Sequence, residues 1–115
     1  MERIRITDPC ITALKYDAED DWLKSWAKEH GNTMSTHPLY LALKGDRFPL
    51  HKWCNFRGDI WLMERISLLL DVYRSLIRYG QIEPIEVKDG VIVTGHKRAA
   101  CLMIMGKETI KAYET

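Results

Sequence analysis

The sequence predicts an α+β domain in which a small mixed β-sheet carries packed helices, and three observations support this. Apolar residues recur at helical spacing over residues 59–80. Two β-branched runs flank Asp89-Gly90, a strong two-residue hairpin signal. Short segments at both ends, residues 2–7 and 108–114, alternate as strands do. A length of 115 residues suits one domain spanning 1–115 with a single core.

The elements follow in order. "ERIRIT" (2–7) reads as a short strand. Residues 17–31 read as a helix, with Asp17 as its cap and Gly31 as its stop. Glu19, Asp20 and Asp21 complement the positive helix start, and the apolar stripe is Trp22, Leu23, Trp26 and Ala27. "THPLYLALKGD" predicts a two-turn helix capped by Thr36 and ended by Gly45, with a strand around Tyr40 to Leu43 as the alternative. "RFPLHKWCNFRGD" reads as irregular, with Trp53 and Phe56 folded back onto the core.

The second half is better defined. Residues 59–80 place Leu62, Ile66, Leu69, Leu70, Tyr73, Leu76 and Ile77 at helical spacing, with Asp59 as cap and Gly80 as stop. A strand over Glu83 to Val87 turns at Asp89-Gly90 into a return strand, Val91 to Thr94. A helix from His96 to Met105 ends at Gly106, and "ETIKAYE" (108–114) supplies the last strand.

Composition narrows the function. Hydrophobic residues make up 46% and charged residues 29%, as in ordinary globular proteins. Lys plus Arg is 17 against 16 Asp plus Glu, a net charge of +1, so contact with a nucleic acid requires a local basic patch. No apolar run approaches the ~18 residues of a membrane span, and no apolar h-region follows Met1-Glu2-Arg3, so a secretory signal is not expected. Cys10, Cys54 and Cys101 are widely separated, odd in number and without CxxC spacing, so neither a zinc knuckle nor a disulfide framework is signalled. A reducing, cytoplasmic setting is the expectation.

The most informative stretch is "IVTGHKRAACLMIMG" (92–106), where a strand hands over to a helix at Thr94-Gly95 and His96, Lys97 and Arg98 follow at once. A helix start leaves backbone N–H groups unpaired and carries partial positive charge. Lys97 and Arg98 oppose that dipole, so they are poor choices for stability alone. A bound phosphate reverses the sign, collecting N–H bonds, a guanidinium and an ammonium together. Gly95, lacking a Cβ, allows an anion close to the backbone and lets the chain take an unusual φ. The alternative is a pair of solvated surface cations at a tolerated cost of ~0.3–1 kcal/mol each.

Residues 59–114 also resemble the N-terminal domain of the ParB family, which shares its fold with sulfiredoxin. Ser75-Leu76 and Gly80 stand where that family ends a helix in Ser-Ile-x-x-x-Gly. Glu83-Pro84-Ile85 opens the following strand, and Gly90 sits in the hairpin. Gly95-His96-Lys97-Arg98, with Ala100, Leu102 and Gly106, matches its Gly-Glu-Arg-Arg or Gly-His-His-Arg signature. The resemblance implies a ParB/sulfiredoxin-like fold and a nucleoside triphosphate of CTP or ATP type, with Mg²⁺. Its phosphates would lie at Thr94, Gly95, His96, Lys97 and Arg98, with Gly80 and Gln81 beside them.

Hydrolysis, phosphotransfer and nuclease activity all occur among such relatives, and fold alone does not choose between them. Glu83 stands where the family usually has Gln, and an acidic side chain there can hold Mg²⁺ or act as a base; a solvent-facing strand residue is the alternative. His96 is the second catalytic candidate, as a phosphate contact or proton shuttle. Sulfiredoxin chemistry is not expected, because His96 occupies the position of the reactive cysteine and Cys101 lies more than a turn away. These residues contain none of the helix-turn-helix or dimerisation tail of partition proteins, so a sliding clamp is not expected of them alone. Residues 8–58 diverge from the family pattern.

Other candidates are weaker. His30, His37, His51 and Cys54 lack metal-ligand spacing, and no metal ligands are assigned. No GxSxG context is present. Arg65, Arg74 and Arg78 with Lys97 and Arg98 form a basic face for DNA if their helices lie side by side, the second functional reading. A third is a protein-interaction domain with a degenerate nucleotide site. Its partner would be another protein at the Trp-bearing N-terminal half, or a second copy. A bacteriophage or mobile-element origin would suit a solitary domain of this kind.

Overall fold

The computed structural model describes residues 5–115, and the side chains of these except 59–63. Five strands and five α-helices are formed: β1 (Arg5–Thr7), β2 (Lys15–Tyr16), α1 (Asp21–His30), α2 (Pro38–Leu43), α3 (Phe48–Arg57), α4 (Asp59–Tyr79), β3 (Ile85–Lys88), β4 (Val91–Thr94), α5 (His96–Ile104) and β5 (Ala112–Glu114). Short 3₁₀ turns at Ile11–Ala13 and Met34–Thr36 join the early elements. The predicted α+β class with a mixed sheet is what the chain forms. The strand order is β1-β5-β3-β4-β2. β1/β5 and β3/β4 are antiparallel, whereas β3/β5 and β2/β4 are parallel.

The pleat decides which side chains are buried. Ile85, Val87, Ile92 and Ala112 point into the core, while Glu86, Lys88, Val93 and Tyr113 face outward. The hairpin turn at Asp89-Gly90 uses positive φ at both residues, 52° and 77°, as a type I′ turn requires. Pairing passes from Val87–Ile92 to Glu86–Thr94, leaving Val93 as an extra residue on β4. This bulge breaks the alternation just before the strand-to-helix turn and leaves both Val93 and Thr94 exposed.

Several local expectations are corrected. The first helix is capped by Asp20, not Asp17: Asp20 Oδ1 accepts from the Leu23 N–H at 2.8 Å. His37, not Thr36, caps α2, its Nδ1 accepting from the Leu39 N–H at 3.1 Å. The stretch "RFPLHKWCNFRGD", which reads as irregular, forms α3. Pro49 occupies its first turn, where a missing N–H costs nothing, and Pro49, Leu50, Trp53 and Cys54 form its buried stripe. Trp53 does pack into the core, but Phe56 is exposed. β2 was not anticipated, because a two-residue strand carries no periodicity.

In α4, Leu69 and Leu76 are buried and Val72 and Tyr73 partly so, whereas Ile66, Leu70 and Ile77 are exposed. The helix therefore carries two adjacent apolar stripes, and its own domain covers one. The Asp59 cap and the packing of Leu62 lie outside the described side chains. No helix among the described residues is long and apolar enough to cross a membrane.

Candidate functional site

The strand-to-helix turn is set by Gly95, whose φ of 109° and ψ of 25° lie in the left-handed region. A Cβ at this position would overlap Ile85 Cγ2 and stand 2.7 Å from Ile85 Cβ. The expected unusual φ is therefore present, and the glycine has a steric reason as well: its bare side admits the Ile85 side chain of β3. The turn stays open elsewhere. Among the described residues α5 has no side-chain N-cap, and its first intrahelical bond runs from the Ala99 N–H to the Gly95 carbonyl at 3.0 Å. The amides of its first turn are thus available to a ligand.

Around this helix start lies a recess of about 310 Å³ that gathers residues from the whole chain. Thr94, Gly95, His96, Lys97 and Arg98 line one side. α4 contributes Arg65 and Val72, the β2–α1 loop contributes Asp17 and Glu19, and Leu23, His37, Leu39 and Trp53 complete the wall. Three cations therefore share a concavity with the helix N-terminus, and Asp17 and Glu19 line the same recess.

Lys97 records the crowding. Its pKa is lowered, first by burial and then by Arg65 and Arg98, with Glu19 opposing the shift. Among the described residues it makes no ion pair within 4 Å. Arg98 is more committed. Its Nη1 donates to the Pro84 carbonyl at 3.3 Å and its Nη2 to Glu83 Oε2 at 3.2 Å. Glu83 is well exposed at 76%, so the pair is solvent-screened and separable.

The imidazoles are structural acceptors. His96 Nε2 accepts from the Asp17 N–H at 3.3 Å, and the Ile92 backbone also hydrogen-bonds the ring. His37, whose Nδ1 caps α2, stacks on His96 with centroids 5.6 Å apart and meets Tyr16 and Trp53 edge-on. Burial lowers the pKa of both, with Lys97 adding to it, while Asp17 partly offsets the shift at His96. A neutral, backbone-bonded His96 positions the Asp17 loop over the recess.

A second recess of about 370 Å³ adjoins the first at Arg98, which lines both. It contains Gly80, Gln81 and Glu83, with Val72, Leu76 and Ile82 as apolar wall. Gln81 is pinned to the stretch before β5: its Oε1 accepts from the Lys111 N–H at 2.8 Å and its Nε2 donates to the Lys111 carbonyl at 2.9 Å. It also donates to the Glu83 carbonyl at 3.1 Å, which fixes the loop that carries Glu83.

All predicted site residues thus fall in two abutting recesses, with Thr94–His96 and Lys97 in one, Gly80, Gln81 and Glu83 in the other, and Arg98 between them. Asp17, Glu19, His37 and Trp53 were not foreseen as members, since no motif in the chain joins residues so far apart. The continuous basic face does not form. At about 100° per residue, Arg74 lies about 180° around α4 from Arg65, and Arg78 about 140°. Among the described residues no three His, Cys, Asp or Glu side chains converge as a metal site. Cys101 is buried, its Sγ 3.9 Å from the Leu69 carbonyl and its pKa pushed up to about 11 by burial, the setting of an inert core thiol.

Compared with protein-family models, curated proteins and solved structures, the chain matches none.

Proposed function

We propose that this chain is a nucleotide-binding domain of the ParB/sulfiredoxin-like kind that takes a nucleoside triphosphate at the start of α5. The phosphates occupy the first recess against the α5 amides, Lys97, Arg98 and Arg65. The nucleoside reaches past Arg98 into the second recess, beside Gly80 and Gln81. One observation carries the reading: Arg65, Lys97 and Arg98 line one recess together with a helix start whose first-turn amides have no side-chain cap among the described residues.

Asp17 and Glu19 line the same recess and fit a Mg²⁺ requirement, because that ion is commonly held by one or two carboxylates together with phosphate oxygens. When bound, the ion would neutralise phosphate charge that the cations leave uncovered. Glu83 and His96 are the catalytic candidates for hydrolysis or phosphotransfer. Each is already engaged, Glu83 by Arg98 and His96 by the Asp17 backbone, so binding without turnover is the expected basal behaviour.

Isothermal titration with CTP, ATP and GTP, with and without Mg²⁺, tests the proposal. Lys97→Ala and Arg98→Ala should each weaken binding at least about tenfold, the loss of one charge-assisted bond, while the circular dichroism spectrum is retained. Unchanged affinity in both folded variants overturns it. If short duplex DNA binds instead, with affinity falling steeply as salt rises, the DNA reading replaces it.

A further inference from the structure

We infer that the second apolar stripe of α4 is a self-association surface, on which α4 of another copy packs antiparallel. Ile66, Leu70, Tyr73 and Ile77 follow a four-three-four spacing along one side of the helix. Ile66, Leu70 and Ile77 are 40%, 42% and 59% exposed, although their own domain offers a core. Leu69, Val72 and Leu76, about 100° away around the helix, already occupy that core. Ile66, Leu70 and Ile77 are therefore surplus to the domain's own packing, Tyr73 rests partly against the core, and the stripe runs over about 16 Å of helix.

Its symmetry indicates the occupant. The four positions are spaced symmetrically about a point between Leu70 and Tyr73. An antiparallel copy centred there sets Ile66 against Ile77 and Leu70 against Tyr73, twice each. The polar flank agrees with that register. Glu64, Asp71, Arg74 and Arg78 lie on one side of the stripe, and none of them makes an ion pair within 4 Å among the described residues. A two-fold axis across the seam brings the same flank of both copies together. Arg78 then stands within one residue of Glu64 of the other copy, and Arg74 within two residues of its Asp71. A parallel arrangement would instead set this flank against the side of α4 that each copy buries in its own core.

The seam is shorter than a standard interface of about 800 Å² per partner, so association is expected in the micromolar range or weaker. Sedimentation equilibrium of the full chain over micromolar to about 1 mM tests it. The wild type should pass from monomer to dimer. Leu70→Glu should raise the dissociation constant at least about tenfold by placing a carboxylate in the seam, with an unchanged circular dichroism spectrum. Arg74→Asp should weaken the dimer, and adding Asp71→Arg should restore it. A monomer at every concentration overturns the inference. So does a dimer indifferent to Leu70→Glu, or one that the paired charge reversal fails to rescue.

Discussion

Replacing Gly95 by alanine tests the geometry on which the site depends. A residue with a Cβ pays about 1–2 kcal/mol to adopt the left-handed region that Gly95 occupies at φ 109°. The new methyl would also meet Ile85, whose Cβ stands 2.7 Å from the ideal Cβ position and whose side chain is fully buried. Overpacking of that kind adds about 1–3 kcal/mol. The sum is about 2–5 kcal/mol, a large fraction of the stability of a domain this size. Urea unfolding followed by tryptophan fluorescence should show the midpoint fall at constant slope. The steric part can be isolated. Ile85→Ala alone should cost about 2–5 kcal/mol as a large-to-small change, but less in the Gly95→Ala background, because the cavity admits the methyl. A Gly95→Ala loss below about 1 kcal/mol, or strict additivity of the two changes, would refute the argument that Ile85 imposes the glycine.

Two further outcomes follow from the packing around the recess. Asp20 caps α1 through Oδ1 and accepts from Trp53 Nε1 at 2.7 Å through Oδ2, so it ties α1 to α3. Asp20→Ala should destabilise by about 2–4 kcal/mol in urea unfolding, while Asp20→Asn, which can still cap, should cost less. The histidine pair makes stability acid-sensitive. Both pKa values lie below the ordinary 6.5 in the folded state, so the unfolded chain binds the extra protons. Stability should be intact above about pH 6.5 and fall below it, by up to about 1.4 kcal/mol per pH unit per histidine, until the folded values are reached. His96→Gln should remove one of the two contributions, and a flat stability profile between pH 7 and pH 5 (about the range of interest for imidazole) would refute the burial argument.

Much of the second half of the molecule is legible along the chain because its signals are local. The hairpin at Asp89-Gly90 needs two residues of suitable conformation, and both adopt positive φ. Val91–Thr94 and the start of α5 at His96 lie where the periodicity places them. The long helix also extends as its spacing implies, yet that spacing could not show which of its two apolar stripes meets the core. The α3 segment was obscured because exposed Phe48 and Phe56 blur its buried stripe and Pro49 resembles a breaker outside the context of a helix start.

The candidate site divides in the same way. Contiguous residues Thr94 to Arg98 form a local signal, so the cationic helix start could be read directly. The rest was decided only by the tertiary structure: Arg65 facing the recess, Asp17 held over it by His96, and His37 and Trp53 forming its wall. Backbone propensity and hydrophobic period act over a few residues and leave their record in neighbouring letters. A recess is a juxtaposition of distant segments, fixed by the packing of helices on the sheet, and that information has no short-range pattern to reveal it.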